Sequence, residues 1–266
     1  MRERTSLYCF QGEQLFQQNF ISIVKSRRNR YSKIGINEEV IILSIIKKIS
    51  LAIIMMAGVL SLAGCLDKQS PEEKMFEALE KVVSIEKGFE DQQDPLVELE
   101  KKEKEIYEQI ISLGMKEYDQ IVKLADEALA IADKRAEHID KESESIDESE
   151  KEFENVDKII DEIDDADLKK QATELQATMN ERYEIHDKLY ENYKQGLQYD
   201  KELYEILKDK ELSFEKLEEQ INKVNEVYEV VLNNNKKFNE KTDQYNQEKM
   251  DFYKQAGIEV STEKEK

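Results

Sequence analysis

The sequence predicts an all-α protein: an elongated antiparallel three-helix bundle with coiled-coil-like packing, plus a short N-terminal helix. Three observations carry this. Beyond residue 64 the only prolines are Pro71 and Pro95, the only glycines are Gly88, Gly114, Gly196 and Gly257, and the good helix formers Glu, Lys, Leu and Ala are abundant. Apolar residues recur in alternating steps of three and four, the 3.5-residue period of left-handed bundles. Charged residues make up 38% of the chain and tryptophan is absent, which argues for a rod rather than a compact globule.

Each helix then follows from its start signal and its stripe. Helices are expected at about 71–90, 95–164, 167–209 and 213–255. Ser70-Pro71-Glu72-Glu73 forms a capping box, with Ser70 as N-cap, Pro71 at the first position and Glu73 reaching back. Asp94-Pro95 repeats the device for the second helix, whose spacing shows at Ile139, Ile146, Phe153 and Ile160. At 1.5 Å per residue that helix would reach about 100 Å. The third carries Leu168, Ala172, Leu175, Met179, Arg182, His186, Leu189, Tyr193, Gly196, Asp200, Leu203 and Leu207. The fourth starts at Ser213, with Leu212 stapled on Leu217, and runs Phe214, Leu217, Ile221, Val224, Tyr228, Val231, Asn235, Phe238, Thr242, Tyr245, Lys249 and Phe252. The last two helices line the distal part of the second, and the first folds back along its proximal part.

The segment before this domain has a different chemistry. Lys47 and Lys48 precede an apolar run from Ile49 to Leu62, which ends in Ala63-Gly64-Cys65. This is the three-part layout of an export signal. With Gly64 counted the run is 16 residues, whereas a helix needs about 20 to span a bilayer. The ending Leu62, Ala63, Gly64, Cys65 matches the lipobox of bacterial lipoprotein signals, whose cysteine carries acyl chains such as palmitate and becomes the first residue once the signal is cut away. Residues 43–64 are therefore expected to be a lipoprotein signal peptide, and 65–266 an extracytoplasmic helical domain tethered to the membrane. One acyl chain binds membranes only reversibly, at about 0.8 kcal/mol per buried methylene, and two make a stable anchor.

Residues 1–42 are expected to be a mis-assigned start. Asn37-Glu38-Glu39-Val40 can be encoded by a purine-rich string containing GAGGAGGT, which pairs with the end of the small ribosomal RNA. Leu43 follows, and TTG, a leucine codon, is an accepted bacterial start. Cys9 falls in this stretch and is given no role.

From Cys65 onward the chain holds 31 Lys and Arg against 56 Asp and Glu, a net charge of −25. Its only cysteine is the one expected to carry lipid, so packing rather than disulfides must hold the exported domain. Acidity on this scale repels nucleic acid, anionic headgroups and anionic wall polymers within about 8 Å at physiological salt. Nucleic-acid binding is excluded.

Candidate sites are few. Arg182, His186 and Asp200 share one seam and could form a buried charged site, or could fix helix register or snorkel to the bundle edge. His138 stands alone on the second helix beside charged neighbours, and neither histidine has a metal-ligand set around it. The acidic stretch Asp157 to Asp167 lacks the glycine and spaced oxygens of an EF-hand; it reads as a solvated helix end, open to loose divalent-cation association. The run Lys141 to Glu152 has a thin apolar stripe and reads as an ordinary solvated face or a loose stretch open to a partner. Tyr183, Tyr190 and Tyr204 share one side of a helix, and suit either sugar rings or a third helix. There is no nucleophile triad, glycine-rich phosphate loop or zinc signature. No enzyme, metal or cofactor is expected.

Leu60-Ser61-Leu62-Ala63-Gly64-Cys65, Ser70-Pro71-Glu72-Glu73-Lys74, Glu86-Lys87-Gly88-Phe89, Gln92-Gln93-Asp94-Pro95-Leu96 and Gly114-Met115-Lys116-Glu117-Tyr118-Asp119 occur in this order. In that order the chain resembles the YkyA-like family, lipoproteins of Gram-positive bacteria to which cell-wall binding is ascribed. The resemblance covers the chain from the lipobox onward and leaves residues 1–42 outside. It implies an all-helical extracytoplasmic protein without catalytic residues, with only the lipid-bearing cysteine carried over, onto Cys65. Two functions follow as expectations: binding or spacing the wall, including peptidoglycan, or a helical scaffold for a protein partner at the outer face of the membrane.

Overall fold

The computed structural model describes residues 69–113 and 117–260, and every element among them is helical. In chain order these are α1 (Pro71–Ile85), α2 (Lys87–Ser112), α3 (Tyr118–Phe153), α4 (Val156–Glu162), α5 (Ala166–Leu207) and α6 (Phe214–Gln255). They form four arms of nearly equal length: α1 with α2, α3 with α4, then α5 and α6. Each arm is about 63 Å long at 1.5 Å per residue. Lys74 meets Glu162, Glu86 meets Arg182, and Gln171 meets Gln255. The arms therefore alternate up, down, up, down as a closed four-helix bundle. Among the described residues no helix is long and apolar enough to cross a membrane.

The all-α bundle is the expected class, but the chain runs through it differently. The helix expected over 95–164 is not one rod of about 100 Å. The first arm ends at Ser112, where Leu113 turns extended (φ −76°, ψ 152°), and the second begins at Tyr118. Gly114 lies between them, and a glycine favours such a stop. The first segment does not fold back as a short helix; it continues into α2 as a full arm. Pro95 does not start a helix but sits inside α2. The stripe Met75, Leu79, Val82, Phe89, Leu96, Ile106 and Ile110 is buried on both sides of it. Packing of this face outweighs the lost backbone bond.

Two other starts, at Ser70 and Ser213, are as the sequence indicates, and a third, at Asp165, carries a cap that the sequence reading did not name. Ser70 and Glu73 exchange both bonds of the capping box. Asp165 caps α5 by accepting from the backbone of Asp167 and Leu168, and Ser213 accepts from Lys216. Each satisfies orphan donors of a first turn.

The join between α1 and α2 has a specific cause. The hydroxyl of Ser145, on α3, donates to the Ile85 carbonyl (2.9 Å) and accepts from the Phe89 amide (3.0 Å). It thus replaces one rung of the helix ladder, an insertion that bends helices. A Cβ at Gly88 would fall 2.9 Å from that hydroxyl oxygen; glycine makes the insertion possible.

On α3 and α5 an exposed ladder sets the pairing. Lys194, Lys201 and Lys208 reach Asp140, Asp133 and Asp126, each step seven residues along both helices. Such exposed pairs contribute about 0–1 kcal/mol each; their regular spacing selects the antiparallel register.

Candidate functional site

The core is apolar in two blocks with a polar layer between them. One block centres on Leu96, Ile131, Ile139, Leu189, Leu197 and Val224. The other holds Met75, Leu79, Ile146, Phe153, Met179 and Phe252. The dividing layer is Gln93, Glu142, His186 and Asn235, all buried. Gln93 donates to Glu142 at 2.6 Å, and His186 Nε2 stands 3.7 Å from the other Glu142 oxygen. Phe89 and Phe238 flank the imidazole.

A second polar layer lies at the join of α1 and α2. Arg182 grips Glu86 through two bonds, Nη1 to Oε1 at 2.6 Å and Nη2 to Oε2 at 3.0 Å, and donates to Thr242 through Nε. Its guanidinium lies over the Phe238 ring at 4.5 Å. Ser149 donates to Glu86, so Tyr183, 2.7 Å away, donates to Ser149. Burial, and then Glu86, push the Tyr183 hydroxyl well above its ordinary value, which keeps it a donor.

The third layer, inside the first block, concentrates most charge. Arg135 on α3 faces three carboxyl groups: Glu103 at 2.8 Å, Asp200 at 3.3 Å and Glu100 at 3.5 Å. Its Nε and Nη2 donate to the Tyr193 hydroxyl at 3.0 and 2.8 Å, and Tyr193 donates to Glu100 at 2.7 Å. Tyr228 on α6 donates to Asp200 and receives a bond from Arg135. Arg135, Glu103 and Asp200 are each below 5% exposed, so water does not screen them. Burial lowers the affinity of Arg135 for its proton, but Tyr193, Tyr228, Glu103 and Glu100 outweigh it and raise it well above the ordinary value. Asp200 is pushed up to about 7, by burial first and then by Glu103, against the pull of Arg135.

Gly196 admits this arrangement. A Cβ there would lie 2.8 Å from the Tyr228 ring, whose hydroxyl is already fixed by Asp200 and Arg135. Gly196→Ala gains up to about 1 kcal/mol of helix propensity but overpacks a held ring at about 1–3 kcal/mol. We expect a net destabilisation of about 1–2 kcal/mol, read as a lower urea midpoint at unchanged slope.

The structure separates the seam residues Arg182, His186 and Asp200 into these three layers, rather than one site. None snorkels; each is at most 3% exposed. Of the three tyrosines on one helix side, Tyr183 and Tyr204 are 1% exposed and packed in the core. Only Tyr190 keeps an exposed edge, with its hydroxyl on Asp140 and Lys194 over its ring. His138 does not stand alone, since its Nδ1 shares a hydrogen bond with Gln92 at 2.8 Å. The run Lys141 to Glu152 is neither loose nor wholly solvated: it is helical, and it buries Glu142, Ser145, Ile146 and Ser149. Within Asp157 to Asp167, Asp157 accepts from Gln176, Glu162 from Lys74, and Asp165 from the first-turn backbone of α5. Among the described residues no group of His, Cys, Asp and Glu is arranged to hold a metal ion; where three carboxyl groups converge, a guanidinium fills the centre. Leu62, Ala63, Gly64 and Cys65 lie outside the described residues, as do the start and signal assignments over 1–64.

Sequence reasoning missed Glu100, Glu103, Arg135, Glu142 and Ser149 as core residues, and with them the half-buried Glu86. Their signal was positional. Continuing the three–four spacing through Val82, Glu86, Phe89, Gln93, Leu96, Glu100 and Glu103, and through Ala132, Arg135, Ile139, Glu142, Ile146, Ser149 and Phe153, places each of them on an inward stripe.

Fold and core together define an extended helical-bundle protein, its distinctive chemistry turned inward as polar layers. Residues 70–255 match the family described as "Putative cell-wall binding lipoprotein", YkyA, and the chain belongs to that family. It is 39% identical over 204 residues to the "Uncharacterized lipoprotein YkyA" of Bacillus subtilis (strain 168), a stretch covering 77% of this chain and 91% of that relative. No solved structure matches it.

Proposed function

We propose that this protein is a non-enzymatic lipoprotein, cut before Cys65, acylated at that residue and held on the extracytoplasmic face of the membrane. There its bundle binds or spaces the cell wall. The single observation that carries the spacing role is the length and layout of the bundle. Ser70 caps the first arm only five residue steps after Cys65, a reach of at most about 18 Å. A lipid there would hold the α1 end close to the bilayer. The turn after Ser112 and the turn before Phe214 would then stand about 63 Å further out. The family description supports the wall as the target. The three carboxyl groups that could suggest catalysis are sealed around Arg135, which favours a structural role for them. A charge of −25 opposes approach to anionic polymers, so contact with the wall would go through neutral glycan or bridging divalent cations.

A second reading is a helical scaffold for a protein partner. It is favoured by Phe214, 60% exposed in the first turn of α6 at the end away from Ser70. Two measurements decide. Labelled fatty acid should enter the wild-type protein and not Cys65→Ala, and that variant should move from the membrane to the soluble or secreted fraction. Unlabelled wild-type protein would remove the anchor. Purified peptidoglycan, with and without magnesium or calcium, should retain the protein; failure in every condition would remove direct wall binding and leave spacing or scaffolding.

A further inference from the structure

We propose that the polar layer around Arg135 is a proton-coupled latch: a proton on Asp200 holds α5 and α6 closed against α2 and α3, and its loss loosens that half of the bundle. The argument begins with a charge count. One guanidinium faces Glu100 and Glu103 from α2 and Asp200 from α5. Full ionisation of Glu103 and Asp200 alone would already exceed that one positive charge, in a layer where no member is more than 5% exposed. Isolated buried charges of this kind are costly, and the usual escape is to take up a proton.

Asp200 is the group placed to carry it. From α2 Glu103 faces it as a like charge; from α3 Arg135 donates to it; from α6 Tyr228 donates to it. On its own helix, Tyr204 and Tyr193 complete the layer, Tyr204 facing both Glu103 and Asp200. Burial comes first among the causes and Glu103 second; together they exceed the pull of Arg135 and bring Asp200 to about 7. Four helices from all four arms meet at this layer, so repulsion generated there acts on every contact between them.

The sign follows from linkage. An unfolded aspartate titrates near 3.9. Between about pH 4 and about pH 7 the folded chain therefore binds one proton more than the unfolded chain, and stability falls as pH rises through that window. Above it the contribution is constant. This is opposite to the usual paired carboxylate, whose stabilisation is lost on acidification.

The test uses the full chain in detergent, with 13C-labelled aspartate. One carboxyl resonance should titrate near neutrality and be missing from Asp200→Asn. Unfolding at about pH 5.5 should release about one proton more from the wild type than from Asp200→Asn. Amide exchange over 193–204 and 224–235, corrected for its intrinsic rise with pH, should accelerate through neutrality in the wild type and stay flat in the variant. If Asp200→Asn does not fold, Glu103→Gln decides, because losing the like charge should move the same resonance to lower pH. Titration of every aspartate in the ordinary range, or equal exchange profiles in wild type and variant, overturns the latch.

Discussion

Replacing Arg135 by methionine is expected to be the most damaging single substitution in the domain, at about 3–5 kcal/mol. The side chain stays long and apolar, so little volume is lost. What goes is the guanidinium that faces Glu100, Glu103 and Asp200 together, along with the donors to Tyr193 and Tyr228. Three carboxyl groups would then share a layer sealed from water, and no local rearrangement exposes them because they hang from two different arms. Total stabilities of domains are about 5–15 kcal/mol, so the variant should sit near the edge of folding at neutral pH. Acidification should rescue it, since protonating the three groups removes the repulsion. Urea midpoints of wild type and variant at about pH 5 and about pH 8 check both statements. A variant as stable as wild type at the higher pH would mean that the layer is hydrated and the ion cluster unimportant.

The same residue shows what the sequence conveys and what it withholds. Arm boundaries set by caps were legible: Ser70 with Glu73, and Ser213, act as their chemistry requires. Both later arms, α5 and α6, follow one uninterrupted stripe and came out within a few residues. The first two arms did not, for opposite reasons. Pro95 is a strong local stop signal, yet the buried faces of Phe89, Leu96 and Ile106 continue through it. Gly114 is a weaker signal, yet the first arm ends at Ser112 and the second begins at Tyr118, on either side of it. Burial over a whole arm exceeds local preference, and only the periodicity reports burial. Polar core residues were legible by position where the stripe was followed strictly, as with Arg182, His186 and Asp200. They were lost on the first two arms, where only apolar members were counted. Which partners they meet was not in the stripe at all. Glu86 pairs with a residue 96 positions away, a fact of the antiparallel packing rather than of local sequence.

Arg182 and Glu86 allow the energetic and architectural roles of such a layer to be separated. Arg182→Met alone should cost about 3 kcal/mol or more, because Glu86 is left with a buried face and only Ser149 to bond it. Adding Glu86→Met removes the orphaned charge. If the pair contributes mainly by balancing its own burial, the double variant should return to within about 1 kcal/mol of wild type, or exceed it, as paired replacements of buried ions by apolar groups often do. A coupling energy of at least 1 kcal/mol in the double-mutant cycle, measured by urea unfolding, is the expected signature. Glu86 is also the residue at the join of α1 and α2, where Ser145 interrupts the ladder. If the double variant stayed as unstable as Arg182→Met, the pair would be holding the bent arm in place rather than compensating its own charges. The join, not the ion pair, would then be what these two residues maintain in the fold: a seam that keeps α1 packed on α4 and the end of α3 while α2 continues along the rest of α3.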